Sequence, residues 1–582
     1  MSFEIGLSCS GGVSAGAYIA GVLDFLFQAL DEWEKAKSDP HVDVPRHSVT
    51  IKVLTGASAG AISAAVSTMA IARGDAPRAF AAPQPGKQAY QAWAPLLYET
   101  WVVWPRLVAP PTVDPDIAAM RNPPVPPSLQ NIDFLTDSDL TSAAGKGSLA
   151  VSLLNCQLLN YIAARAVQPL GAAPRVRAYL PQDLHIYLTT TNNRGIPFAL
   201  KLQNGDYPMV NHADRAHYRF SGLGTAATVS EFGQRDPAQS LYAAQLTGPV
   251  QTQLPVESLL LPPGSPWADW YRFGNTILAS AAFPIGLAPR SIAATRGDYA
   301  GRLFPQMSLR SSLIAPVFPP PDQNADYIAS DGGVIDNDPI EYAIAALPAP
   351  DQPPSANDLA HATQAVIMIA PFPDAPTYPA SDAQKSDILH LAGQFFTSLR
   401  QHVRFKPDLL LAAADENVGN RFMVAPRRTA PGADKAEPFP LASGVLGGFG
   451  GFIHRAYRDH DFQLGRRNCQ KFLMTSFMLK AENPVFEPVA GAAERCIIPL
   501  CGSANDEVPL PVWPKITPTE FDTLKGRIDG RIGALRGNIA GNLGGNWLQR
   551  QGISGFIRIL QALFMDKLFR GIESGLKDRG QL

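Results

Sequence analysis

Twice within its first 75 residues the chain runs from an apolar strand through a glycine-rich turn into an apolar helix. Residues 3–8 (FEIGLS) alternate as a buried strand would, and Gly11–Gly12 marks a tight turn. Tyr18, Val22, Phe25, Leu26 and Leu30 then recur at helical spacing. The second passage takes IKVLT into GASAG and on through a small-residue helix to Ile71. A strand that must cross over a helix to reach its neighbour lies parallel to it. The repetition therefore predicts an α/β fold with a parallel sheet covered by helices.

The rest of the chain adds to this frame. Residues 82–130 are rich in proline and aromatics without a simple period, as in an insertion covering one end of the sheet. Residues 184–202 (LHIYLTTTNNRGIPFALKL) read as a strand, a turn at Asn193–Gly195 and a returning strand. Residues 364–372 read as a further buried strand. Later the pattern becomes helical: Phe521, Leu524, Ile528, Ile532, Leu535 and Ile539 repeat behind a Thr517–Pro518 start signal. This divides the chain into a core at 1–375 and a mainly helical region at 376–582.

Composition limits the function. With 46% hydrophobic and 17% charged residues, the chain can bury a sizeable core. A net charge of −2 argues against a nucleic-acid partner, which calls for a basic excess. Cys9, Cys156, Cys469, Cys496 and Cys501 form no CxxC pair and read as reduced thiols in a cytosolic setting. The N-terminus enters a strand at once, with no signal-peptide pattern. The apolar stretch at 13–30 is broken by Asp24 and Gln28 and reads as too short to span a membrane. The expected location is cytoplasmic.

Gly56-Ala57-Ser58-Ala59-Gly60 fits G-x-S-x-G, in which small neighbours let a sharp strand-to-helix turn present the serine hydroxyl. A plain close-packing turn uses the same residues. An α/β-hydrolase would need several strands before its elbow, and no histidine lies in a glycine-rich turn at a strand end. Asp331, before Gly332–Gly333, is a candidate base if burial and proximity allow, and the alternative is a hairpin turn. The turn SCSGGVSAGAY could present the amides of Gly11, Gly12 and Val13 as an oxyanion hole. It lacks the ending of a phosphate-binding loop.

Together, a glycine-rich turn on strand one, an early G-x-S-x-G and a late D-G-G resemble the patatin-like phospholipases. Residues 279–290 (ASAAFPIGLAPR) resemble that family's Ala-Ser-x-Ala-x-Pro segment, and Asn337 and Pro339 match the residues that follow its D-G-G. The resemblance covers roughly residues 3–372. It implies a three-layer α/β/α core with a central, mainly parallel sheet. It makes Ser58 the nucleophile, Asp331 its only catalytic partner, and Gly11, Gly12 and the Val13 amide the oxyanion hole. The implied activity is hydrolysis of lipid or phospholipid esters through an acyl-enzyme, with no metal or organic cofactor. Val13 stands where the family usually has glycine, and Ala15 where it usually has Arg or Lys. These departures favour the rival reading, a lipid-binding or scaffold protein that has lost activity.

Three further features carry alternatives. His454, Arg455, Arg458, Asp459, His460, Asp461, Arg466 and Arg467 crowd one stretch, as an anion or partner site or as a helix whose charges pair with each other. His212 and His217 could suggest a metal pair, but read as ordinary histidines of an exposed loop. Residues 553–568 form an apolar stripe with Arg558, Lys567 and Arg570 on its other side. That helix suits either docking on the core or peripheral contact with an anionic membrane.

Overall fold

Strand β1 (Ser2–Cys9) sends Phe3, Ile5, Leu7 and Cys9 into one face of a ten-stranded sheet, each fully buried. The turn after it leads into α1 (Gly16–Ser38), then β2 (Ser48–Gly56) and α2 (Ala59–Arg73). Next come the long strands β3 (Asp183–Leu202) and β4 (Gly205–Ser221), followed by β5 (Arg290–Ile292), β6 (Tyr327–Asp331), β7 (Gln364–Ile369) and β8 (Arg421–Val424). The order is β5-β6-β3-β2-β1-β7-β8. From β3 to β8 every neighbouring pair is parallel, while β6 and β4 run antiparallel to β3. The fold is mixed α/β with a mainly parallel central sheet, as the opening repeat requires. The computed structural model describes residues 2–81, 90–109, 115–118, 130, 132–140, 149–167, 175–221, 223–226, 252–255, 268–294, 299, 314–317, 324–347, 356–371, 398, 401–404, 406–487, 493–542, 565 and 568–582.

Helices cover both faces of this sheet. On one side lie α1 and α2, joined by α3 (Gln157–Ala166) and α4 (Ala268–Ser280) beside the cleft described below. On the other, α5 (Ile340–Ala346) packs on Val53, Tyr187, Val366 and Met368. Two further helices, α6 (Arg455–Thr475) and α7 (Pro518–Asn542), come from beyond residue 375. That later region is not set apart from the core: β8 extends the sheet beyond β7, and α6 lies along α1. Glycines permit the close approach. A Cβ on Gly21 would sit 1.9 Å from the Phe462 carbonyl oxygen, and one on Gly465 would sit 2.2 Å from that of Tyr18.

The structure corrects four local expectations. Asn193–Gly195 is not a chain reversal: β3 continues through it beside β4, with a register shift between Thr191 and Ile196. The asparagine and glycine signals belong to a bulge, where Gly195 has φ 83 and donates its N–H to Asn192 Oδ1 at 2.8 Å. His212 and His217 lie on strand β4, not in a loop, and the His217 ring stacks on Tyr187 at 4.1 Å.

The charged run on α6 follows neither of its two readings. Arg458, Asp459, His460, Asp461 and Arg466 are buried, and their partners lie mostly on other elements. Arg458 donates to the carbonyls of Val102 and Gly451, Arg466 pairs with Asp24 of α1, and Tyr98 donates to Asp459 at 2.6 Å. Burial pushes the Asp459 carboxyl up to about 6. The fourth correction concerns α1. The helical stretch Val13–Ser38 is long and apolar enough to cross a membrane, the one such helix among the described residues, yet 94% of its apolar window is buried in the fold.

The start of α7 is a reciprocal cap. Glu520 N donates to Thr517 Oγ1 at 3.2 Å, and Thr517 N donates to Glu520 Oε2 at 2.7 Å. Most of the stripe at 553–568 lies outside the described residues. In the helical turns after it, Ile572 and Leu576 are buried with Tyr457, Phe521 and Leu524. All five cysteines are free thiols.

Candidate active site

Ser58 stands where β2 meets α2, and its backbone is strained. At φ 53 and ψ −121 it occupies a region that residues with a side chain rarely adopt. Its small neighbours make the turn possible. A Cβ on Gly60 would lie 2.0 Å from the Cys9 carbonyl oxygen, and one on Gly56 would lie 2.6 Å from the backbone of residues 60–61. The helix behind the serine points its N-terminus at the site, where the dipole favours negative charge.

Asp331 closes strand β6. Ser58 Oγ donates to Asp331 Oδ2 at 2.6 Å, and both residues are buried. The other carboxylate oxygen accepts from Gly333 N at 2.7 Å, which fixes the plane of the group. Thr191 Oγ1 holds the Asp331 carbonyl at 2.8 Å. Gly332 must be a glycine, because a Cβ there would lie 2.3 Å from the Thr189 carbonyl oxygen. Two residues more than 270 positions apart thus meet at hydrogen-bond distance.

The block at 279–290 was visible in the sequence without a role. Ser280 Oγ accepts the Ser58 N–H at 3.1 Å, and the Ala282 carbonyl accepts the Asp331 N–H at 2.9 Å. The end of α4 therefore ties the two strand ends together. No residue spacing could have identified this bridge, because its contacts span three separated segments.

The turn at 11–13 supplies fewer donors than expected. Gly11 donates its N–H to the Asn337 carbonyl at 3.0 Å and is committed there. A Cβ on Gly11 would fall 2.3 Å from Asn337 Oδ1, so this glycine serves packing against the loop that follows Asp331. Gly12 and Val13 remain, and their N–H groups meet no acceptor among the described residues. Val13 has φ 51, a conformation in which a β-branched residue is an outlier. The position imposes the geometry of a glycine on a valine.

Ser58, Asp331 and Val13 border a cleft of about 790 Å³, its open mouth included. Apart from Ser58, Asp331, Thr100 and Arg290, its described lining is almost entirely apolar, with Trp101, Phe134, Leu154, Leu159, Ile162, Leu278 and Phe283 among it. Phe449 and Phe452 line it from the far part of the chain. No histidine appears in this lining, and among the described residues no three His, Cys, Asp or Glu side chains converge as a metal ion would require. The arrangement places a hydroxyl, hydrogen-bonded to a carboxylate, on the wall of a largely apolar cleft that opens to solvent.

No family model matches the sequence. The chain is 40% identical over 560 residues to the uncharacterized protein y4iI of Sinorhizobium fredii (strain NBRC 101917 / NGR234), covering 91% of this chain and 75% of that one. Among solved structures, it matches the crystal structure of VipD from Legionella pneumophila at a TM-score of 0.24 and 12% identity, over 81% of this chain and 67% of that one.

Proposed function

This chain belongs to the same family as the Sinorhizobium fredii protein y4iI, and we propose that it is a serine acyl hydrolase of the patatin-like phospholipase type, acting on lipid esters. One observation carries the reading: the 2.6 Å hydrogen bond from Ser58 to Asp331 at the wall of an apolar cleft. The cleft takes the acyl chain, and the ester carbonyl lies over Ser58 Oγ. As the oxygen attacks, its proton passes to Asp331 Oδ2, and the tetrahedral oxyanion turns toward the N–H groups of Gly12 and Val13. Asp331 then gives the proton to the departing alcohol oxygen. A water, deprotonated by the same carboxylate, attacks the acyl-enzyme and returns Ser58. The residues that carry the patatin-like resemblance are those the fold gathers here: Ser58, Asp331, Ser280 and Asn337.

The valine at position 13 favours a second reading, a lipid-binding protein without turnover. A fluorophosphonate probe separates the two. Labelling of the full chain at Ser58, lost in Ser58→Ala and in Asp331→Asn, is the expected result. Each substitution should lower turnover of a soluble short-chain ester by on the order of 10³-fold, and the double variant by no more than either alone. A folded wild-type protein that neither labels nor turns over esters would sink the hydrolase.

A further inference from the structure

Four large apolar side chains stand in solvent on two chain segments whose other residues line the cleft. Leu149 and Leu153 are each 50% exposed, Val151 68% and Ile285 69%. They belong to two strips joined by backbone hydrogen bonds: Leu153 N donates to the Ile285 carbonyl at 2.8 Å, and Leu154 N to that of Gly286 at 3.0 Å. Their chain neighbours Leu154, Cys156, Phe283 and Leu287 line the cleft itself. The same paired strips thus turn apolar side chains inward to the cavity and outward to water.

Two features argue that the outward face is built. The strip is held rigidly from α7: Arg531, itself buried, donates to the Leu153 carbonyl at 2.9 Å and pairs with Asp139. Ile285 has φ 69, where a β-branched residue is strained, although its side chain lies in solvent and gains nothing from the interior. Exposed apolar groups on a rigid rim call for a partner. From 149 to 164 and from 279 to 289 the sequence has no charged residue, so the partner surface need not be charged.

We propose that Leu149, Val151, Leu153 and Ile285 form an interfacial surface that seats the cleft mouth on a lipid aggregate. An acyl chain then passes from the lipid into the cavity without crossing water. The inference rests on the hydrolase reading for its substrate, and its contact is apolar. It therefore requires no anionic lipid and resists salt, unlike a basic helix on a charged membrane.

The test uses full-length chains and flotation with neutral phosphatidylcholine vesicles at low and high salt. Ser58→Ala, which cannot consume the lipid, should float in both. Adding Val151→Asn and Ile285→Asn should weaken partition by about tenfold or more, since two buried aliphatic contacts are lost. Asparagine tolerates the left-handed backbone at 285, so the double variant should melt no lower than its parent. With Ser58 intact, the double variant should lose vesicle turnover and keep its rate on a soluble short-chain ester.

Unchanged flotation of the double variant would overturn the proposal. So would flotation that needs anionic lipid and disappears in high salt, or a fall in soluble-ester turnover as large as the fall on vesicles. A rim that instead joins two copies would show as a concentration-dependent dimer, lost in the double variant, without flotation. Flotation with no ester turnover would remove the hydrolase and leave the surface, and turnover without flotation would do the reverse.

Discussion

At the scale of single residues, Val13 and Gly60 are opposite solutions to one steric problem. Gly60 has no room for a side chain, since its Cβ would meet the Cys9 carbonyl at 2.0 Å. Val13 keeps a side chain in a conformation that disfavours one, at φ 51. Strain of this kind costs on the order of 1–3 kcal/mol. Replacing the valine by glycine removes it but adds about 1 kcal/mol of unfolded-chain entropy. The two terms nearly offset. Val13→Gly is expected to melt within a few degrees of the parent and, on the proposed hydrolase reading, to hydrolyse a short-chain ester at least as fast, because the turn's amides would gain freedom to meet the oxyanion. Gly60→Ala is expected to lose activity and stability together. Melting by circular dichroism beside an esterase assay checks both, and a Val13→Gly protein with much reduced turnover would show that the valine shapes the site usefully. Ser58 and Asp331 were legible in the sequence because their glycines are local signals. The commitment of Gly11 to Asn337 was not, since that contact joins positions 326 residues apart.

Among the elements, α6 shows where reading from sequence stops. Its charges read as an anion or partner site or as pairs formed along the helix itself, because residues three and four apart on a helix are neighbours. Here most of the helix is buried, and Arg458, Asp459, Asp461 and Arg466 answer backbone or side-chain groups on other elements. Arg458 holds the Gly451 carbonyl at 2.6 Å, and Ser14, next to Val13, accepts from Gly451 N at 3.0 Å and donates to the Gly448 carbonyl. The loop so held presents Phe449 and Phe452 to the cleft, where Phe452 packs on Phe134 at 5.3 Å and Phe449 on Phe283 at 5.4 Å. On the proposed hydrolase reading, Phe452→Ala should enlarge the cleft and move the preferred acyl chain upward in a series of p-nitrophenyl esters, with the change in KM larger than that in kcat. A uniform loss across the series would mean that the ring only supports the loop. Arg458→Met should be much harsher. It leaves the Val102 and Gly451 carbonyls buried without a donor, at about 1–3 kcal/mol each, and urea unfolding would register the loss.

Across the whole molecule, the last third of the chain closes over the first unit. Arg466 meets Asp24, Gln28 meets Ser503, and His47 meets the Ile497 carbonyl at 2.8 Å. The opening strand–turn–helix repeat could announce the parallel sheet, because that pattern is local. It could not announce β8 or the α1–α6 contact, because glycines at 21 and 465 are ambiguous until their partners are known. The seam they create makes a prediction about pH. His47 is wedged between Trp33 and Phe486, and burial lowers its pKa to about 4. In the unfolded chain it titrates near 6.5. Between these values the unfolded state binds a proton that the folded state refuses, so stability falls as pH drops from about 6.5 toward 4. Buried Asp459, raised to about 6, acts the other way: its folded form takes up the proton first, so stability gains as pH falls through that range. The two partly cancel in the parent protein, and substitution separates them. His47→Gln keeps an N–H for the Ile497 carbonyl and cannot be protonated. It should resemble the parent in urea unfolding near neutral pH. By about pH 4 it should be the more stable of the two, by up to on the order of 3 kcal/mol. If both proteins lose stability in parallel on acidification, the imidazole at this seam is not what refuses the proton.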